Sequence, residues 1–170
     1  MARRKINILT KNTSTNTPLS RAIRYAYAND AGADIASNEA ITISAHNRVL
    51  CSTGLFMVIP PGYEIQIRSR SGLAYNHGII VLNSPSTIDA GYEGEIKVLL
   101  LNTSNIDYFV NKGDYIAQLV LAKVVQANFK SKVSKDKDTD SNHTNVDETD
   151  TIHYMVITGD RGSNGFGSTG

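Results

Sequence analysis

The chain is built from short apolar runs separated by polar punctuation, and helical periodicity is scarce. Residues 5–9 predict a first strand, followed by a polar loop of Thr, Ser and Asn over 11–18. Residues 41–43 and 48–52 predict strand pieces, and 55–59 predict another that Pro60, Pro61 and Gly62 end. Residues 63–68 alternate strictly, which places Tyr63, Ile65 and Ile67 on one face. Residues 79–82 and 95–101 have the length of buried strands, and 115–122 predict the next. The single segment with helical character is 19–28. Many short strands at close spacing predict an all-β sandwich, barrel or jelly roll.

The pattern changes near Gln126, and four regions follow from it. A core spans 1–125, a polar insertion 126–150, an apolar return strand 151–160, and a glycine-rich tail 161–170. The insertion has too little apolar content to order itself by burial. The tail is too rich in glycine to hold one shape alone, so a ligand or partner is expected to order it. Within the insertion, Asp136, Asp138, Asp140, Asn142 and Thr144 are spaced like oxygen ligands of a calcium loop, but Ser141 stands where such a loop needs Gly. A plain surface loop and a protein contact are the other readings of this segment.

Composition narrows the function classes. The 170 residues carry 17 Lys and Arg against 16 Asp and Glu, so no global field draws nucleic acid or membrane, and a polyanion site must be local. Cys51 is the single cysteine, which excludes an intramolecular disulfide and fits a reducing compartment. The four histidines (46, 77, 143 and 153) lack metal-ligand spacing, which argues against zinc. The apolar stretch near the N-terminus is too short for a signal sequence or a membrane span. A soluble, cytoplasmic protein is expected.

Several segments carry candidate chemistry. Arg70-Ser71-Gly72-Leu73-Ala74 reads as an anion-binding concavity of amides beside a hydroxyl and a guanidinium, or as a surface turn. The hairpin-like connection from Asn83 to Glu95 is unusually rich. Asn83 offers a donor and an acceptor suited to a pyrimidine edge, Asp89 offers a general base, and Tyr92 a flat apolar wall. The bland alternative is a turn in which Asn83 and Asp89 cap amides. The segment 30–35, with the carboxylate of Asp34, reads as a turn, and 113–119 as a turn leading into a strand.

In order, these segments resemble the five motifs of the homotrimeric dUTPase family. Asp-Ala-Gly-Ala-Asp-Ile (30–35), Arg-Ser-Gly-Leu-Ala (70–74), residues 83–94, Gly-Asp-Tyr-Ile-Ala-Gln-Leu (113–119) and the tail (161–170) correspond to motifs one to five. The resemblance implies a β-clip, jelly-roll-like fold in a homotrimer whose C-terminal tail is exchanged between subunits. Motifs one, two and four of one chain, motif three of the next and the tail of the third would build each site. The implied reaction is Mg²⁺-dependent hydrolysis of dUTP to dUMP and pyrophosphate, which limits uracil in DNA and supplies dUMP. Asp34 would order water on the metal, and Asp89 would activate the water that attacks the α-phosphorus. Arg70, Ser71, Gly72 and Gln118 would hold phosphates, and Arg161, Gly167, Ser168 and Thr169 would clamp the far end. Asn83, Ile88 and backbone near Lys97 would shape the uracil pocket, Tyr92 would underlie the deoxyribose, and Phe166 would stack on the base.

The sequence departs from the usual family pattern at Ser69 (often Pro), Ser86 (usually Gly), Tyr115 (commonly Arg) and Asn164 (a Gly). None of these removes a group with a direct chemical role. Two rivals stand beside the hydrolase. A dCTP deaminase shares the fold but needs a catalytic Glu near Leu99, and a nucleotide-binding regulatory protein would not need an intact Asp34, Asp89 and Arg161. A regulatory partner for the 126–150 insertion and a bacterial or phage source complete the expectations.

Overall fold

A computed structural model describes residues 5–14 and 17–129. The insertion beyond Phe129, the expected return strand and the tail, with Arg161, Phe166, Gly167, Ser168 and Thr169, lie outside the described residues. Eleven strands and two short helices follow in the order β1 (Leu9–Asn12), α1 (Leu19–Ala22), β2 (Ile23–Arg24), β3 (Gly32–Ala36), β4 (Ile41–Ile43), β5 (Arg48–Val58), β6 (Tyr63–Arg68), α2 (Ser71–His77), β7 (Ile79–Val81), β8 (Ser86–Asp89), β9 (Ile96–Asn102), β10 (Tyr108–Val110) and β11 (Tyr115–Lys123). They form a four-stranded sheet β1-β5-β9-β7, a five-stranded sheet β2-β3-β11-β6-β8 and the pair β10-β4. The all-β, jelly-roll-like expectation holds.

Alternation explains how the two large sheets close on each other. In β9, Ile96, Val98, Leu100 and Asn102 are buried while Lys97, Leu99 and Leu101 face away. In β6 the buried positions are Ile65 and Ile67. These join Cys51, Leu55, Ile35 and Leu119 in one apolar core shared by both sheets. Asn102 is fully buried but satisfied, its Nδ2 donating to Ile43 O (2.9 Å) and Ile106 O (2.8 Å).

Several expected elements shift for identifiable reasons. The first strand is Leu9–Asn12 rather than 5–9, because its partner β5 offers pairing only from Leu55 to Val58 before the two prolines. The 19–28 helix is one turn long. Ile23 and Arg24 leave it to pair with β3, and a turn closed by Tyr27 N–H on Asp30 Oδ2 (2.8 Å) follows. The segment 30–35 is therefore mostly strand, not turn. Residues 48–52 and 55–59 belong to a single strand bent at Gly54 (φ 68°), where the register with β9 slips. Arg70-Ser71-Gly72 opens a helix, α2, instead of a turn, and Gly78 (φ 68°) caps it. Motif three is not a simple hairpin. β7 and β9 do pair, but the chain between them crosses to the other sheet and adds β8 to β6.

Candidate active site

The five-stranded sheet assembles three of the motif segments on its outer face. Asp34 on β3 lies opposite Gln118 on β11, and Gln118 lies opposite Arg68 on β6. Residues directly opposite one another share a sheet face, so these side chains form one row. The chain then turns after β6 and brings Arg70 back over the row. Arg70 Nε donates to Asp34 Oδ1 at 3.0 Å, Nη2 reaches Oδ2 at 3.5 Å, and Gln118 Nε2 reaches Oδ1 at 3.3 Å. Arg70 Nη1 donates to the carbonyl of Tyr115 at 2.8 Å. Asp34 is 6% exposed, so a buried carboxylate is paired with a guanidinium that still reaches solvent.

Around this pair a cleft of about 470 Å³ is lined by Tyr27, Asp30, Gly32, Asp34, Arg70, Ser71, Gly72 and Gln118. The amides of Ser71 and Gly72 open α2 ahead of its first backbone bond, from Ala74 N–H to Arg70 O (3.0 Å). A Cβ at Gly72 would meet nothing within 4 Å, so this backbone is open to an approaching group. Gly32 is the reverse case: a Cβ there would press on the Gln118 side chain at 3.0 Å. The small residue at 32 thus leaves room for the glutamine to reach Asp34.

Asp89 lies elsewhere on the same sheet. It ends β8 opposite Glu64, at the far end of β6 from Arg68. Four residues of strand separate the two rows, roughly 13 Å. Tyr92 follows in the next turn, its N–H donating to Asp89 O at 3.2 Å and its hydroxyl to Glu95 O at 3.0 Å. Burial and the nearby Glu95 carboxylate push the Tyr92 phenol up, so it remains a neutral donor. Gly94 is buried against Tyr92, and a Cβ there would collide with the ring and hydroxyl, so the position needs glycine. Tyr92 lines a separate cleft of about 710 Å³ with Leu9, Phe56, Val58 and Gly91.

The remaining expected residues divide clearly. Asn83 is exposed in the turn after β7. Ile88 pairs with Ile65, so its side chain turns to the core and only its backbone can meet a ligand. Lys97 pairs with Glu95 at 3.8 Å. The sequence reading missed Glu95 as a structural centre: its Oε1 accepts from Ser52 Oγ (2.5 Å), Thr53 N–H (3.1 Å) and Gly54 N–H (2.8 Å), pinning the bend in β5. It also missed Arg24 and the ring of Tyr115, which only strand register brings beside Asp34.

Among the described residues no group of three His, Cys, Asp or Glu side chains could hold a metal ion by itself. Asp34 still suits a water-mediated contact. A carboxylate has about four acceptor positions, and Arg70 and Gln118 occupy three of them. No helix among the described residues is long and apolar enough to cross a membrane.

Known proteins resemble this chain in sequence and in fold. The dUTPase family model matches residues 20–150. A deoxyuridine 5'-triphosphate nucleotidohydrolase of Zymomonas mobilis is 42% identical over 146 residues, covering 86% of each chain. The enzyme of that name from Cytophaga hutchinsonii is 48% identical over 127 residues, 74% of this chain and 82% of the relative. Among solved structures, a dUTPase from phage phi11 of S. aureus aligns with a TM-score of 0.68 at 22% identity, covering 79% of this chain and all of the other. A dUTPase from Streptococcus mutans aligns at 0.64 and 23% identity, over 71% of this chain and 98% of its own.

Proposed function

The chain belongs to the dUTPase family, and from that premise we propose that it hydrolyses dUTP to dUMP and pyrophosphate, with the Asp34 cleft taking the triphosphate. The observation that carries the reading is the meeting of Asp34, Arg70 and Gln118, from three separate motif segments, beside the open backbone of Ser71 and Gly72. Such a cleft offers an always-charged fork, a hydroxyl, two amides and a carboxamide, which is the donor set a polyphosphate needs. Phosphoryl chemistry depends mainly on positioning and on charge neutralisation, and those donors supply both. Mg²⁺ on the triphosphate would add neutralising charge, with Asp34 holding one of its waters. Asp89 is the base for the attacking water, and Tyr92 the wall beneath the sugar. Asn83 and backbone at Ile88 and Lys97 face the base. Arg161, Phe166, Gly167, Ser168 and Thr169 close the site.

The site is shared between subunits of a homotrimer. Two observations support this. Asp89 lies roughly 13 Å along β6 from the Asp34 row, too far for one chain to place both on a single pair of reacting atoms. The outer face of the four-stranded sheet is also apolar, with Leu50 and Leu82 exposed and Ile80, Leu99 and Leu101 half-buried. An apolar face of this kind calls for a second copy. Leu99 on that face carries no carboxylate for deamination, so the dCTP deaminase alternative is not favoured. The 1–125 core does this work, with 126–150 as an insertion that a protein partner would read, 151–160 as the return strand and 161–170 as the tail.

The direct test is to incubate the protein with dUTP, dCTP, dTTP and UTP, with and without Mg²⁺, and to measure pyrophosphate and ammonia. Pyrophosphate from dUTP alone, dependent on Mg²⁺, is expected. Ammonia from dCTP, or no pyrophosphate from any nucleotide, would overturn the reading.

A further inference from the structure

One cation on the Asp34 face has no role in the site as built so far. Arg24 ends β2 directly opposite Asp34, so it extends the row to Arg24, Asp34, Gln118 and Arg68 across four strands. Its partners are unusual. Among the described residues the ion pairs are Arg70–Asp34 and Lys97–Glu95, and neither involves Arg24. Its guanidinium instead lies 4.7 Å from the centroid of the Tyr115 ring. The guanidinium of Arg70 lies 5.7 Å from the same centroid, and Arg70 also donates to the Tyr115 carbonyl. One tyrosine ring therefore contacts two arginines, of which Arg70 lines the Asp34 cleft and Arg24 lines a second cleft with Ile23 and Ala33.

The charges around Arg24 decide what it can meet. Asp34 is engaged by Arg70 and Gln118. Asp30 accepts the Tyr27 N–H across its turn. Arg68 is spent on Gln66, through Nε (3.2 Å) and Nη2 (2.5 Å) to Oε1. Arg24 and Arg70 thus contact the same ring, and of the two only Arg70 has an ion pair among the described residues. A ring face holds a guanidinium by its plane and leaves the N–H edge open for an acceptor. A polyanion bound at Arg70 and Ser71 would supply the counter-charge that Arg24 does not find in an ion pair among the described residues.

We propose that Arg24, stacked on Tyr115, is a further binding residue for the polyphosphate of the nucleotide, and that Tyr115 is the positioning residue that holds the Arg24 guanidinium. The proposal rests on the reading of the Asp34 cleft as the triphosphate site. Arg24 is exposed at a sheet edge, so its removal leaves the core untouched.

The test uses the full chain with Mg²⁺ present, in two assays. One is calorimetric titration with inorganic tripolyphosphate at low and high salt. The other is steady-state dUTP turnover, read as KM and kcat separately. Arg24→Ala should weaken tripolyphosphate binding and raise KM by about tenfold, the worth of one charge-assisted contact, with kcat nearly unchanged. Arg24→Lys should recover only part of this, since the stacked fork is lost. Tyr115→Phe should behave as wild type, whereas Tyr115→Leu should reproduce the Arg24→Ala defect. Unchanged affinity and KM in a folded Arg24→Ala protein would overturn the proposal, as would a defect confined to kcat. Absence of dUTP turnover in the wild type would instead remove the premise, and the tripolyphosphate titration would still judge Arg24.

Discussion

Asp89 and Cys51 show how differently one side chain can matter. Asp89 ends a strand in a half-buried position, where it can accept a proton from water. Asp89→Asn should retain nucleotide binding and lose turnover by at least about a hundredfold, the usual contribution of a general base. Near-normal turnover would remove it from the mechanism. Cys51 faces the core, and burial pushes its thiol up to about 11 despite a 3.1 Å contact with Ser37 Oγ. In the unfolded chain this group ionises near 9.0, while the folded protein keeps the proton to about 11. Between those values the native state binds more protons, so its stability falls as pH rises and is fully present below pH 9. The loss should reach about 2–3 kcal/mol. Urea unfolding from pH 8 to 11 would measure it, and Cys51→Ala should flatten that part of the profile. An equal slope in the variant would assign the effect to other groups.

At the scale of elements, the bend in β5 shows how much one carboxylate can hold. Glu95 takes three donors from residues 52–54, two of them backbone amides. Glu95→Ala should destabilise the fold by about 2 kcal/mol, because those amides lose their acceptor. Chemical denaturation would measure this, and a change under 0.5 kcal/mol on the scale of ordinary surface substitutions would mean that water replaces the carboxylate. The same paragraph of chain shows what pattern reading can and cannot reach. Strand β6 was legible to the residue because its six residues alternate, and β9 and β11 nearly so because each is an apolar run of strand length. Strand β3 was not, since Gly32, Ala33 and Ala36 have weak strand preference and four of its five residues are buried. Strand β10 has three residues, too few for any period to appear, and α2 buries none of its side chains. Motif order made Asp34, Arg70 and Gln118 legible as candidates, but their mutual contact is a product of register. Arg24 had no local signal at all, since a cross-strand neighbour is invisible until the pairing is known.

At the scale of the whole molecule, a site divided between subunits, as proposed, would let two inactive chains complement each other. The Asp34, Arg70 and Gln118 cluster stands at one end of β6 and Asp89 at the other. If a working site takes the cluster from one subunit and Asp89 from the next, two inactive chains can repair each other. Consider Arg70→Ala and Asp89→Asn chains, each inactive alone, mixed equally in one trimer. A site is intact when its cluster comes from the Asp89→Asn chain and its base from the Arg70→Ala chain. Around the closed ring of any mixed trimer one neighbour pair has this order, so roughly a third of sites should be intact. Co-expression with two different purification tags, followed by tandem capture, isolates mixed trimers, and pyrophosphate release then reads the fraction of working sites. The double variant Arg70→Ala/Asp89→Asn mixed with the Asp89→Asn chain is the control, because none of its sites can gain a base. Recovery of roughly a third of wild-type turnover is expected for the first mixture and none for the control. A mixed trimer as inactive as its parents would mean that each chain completes its own site, and the roughly 13 Å along β6 would then have to be closed by motion within one subunit.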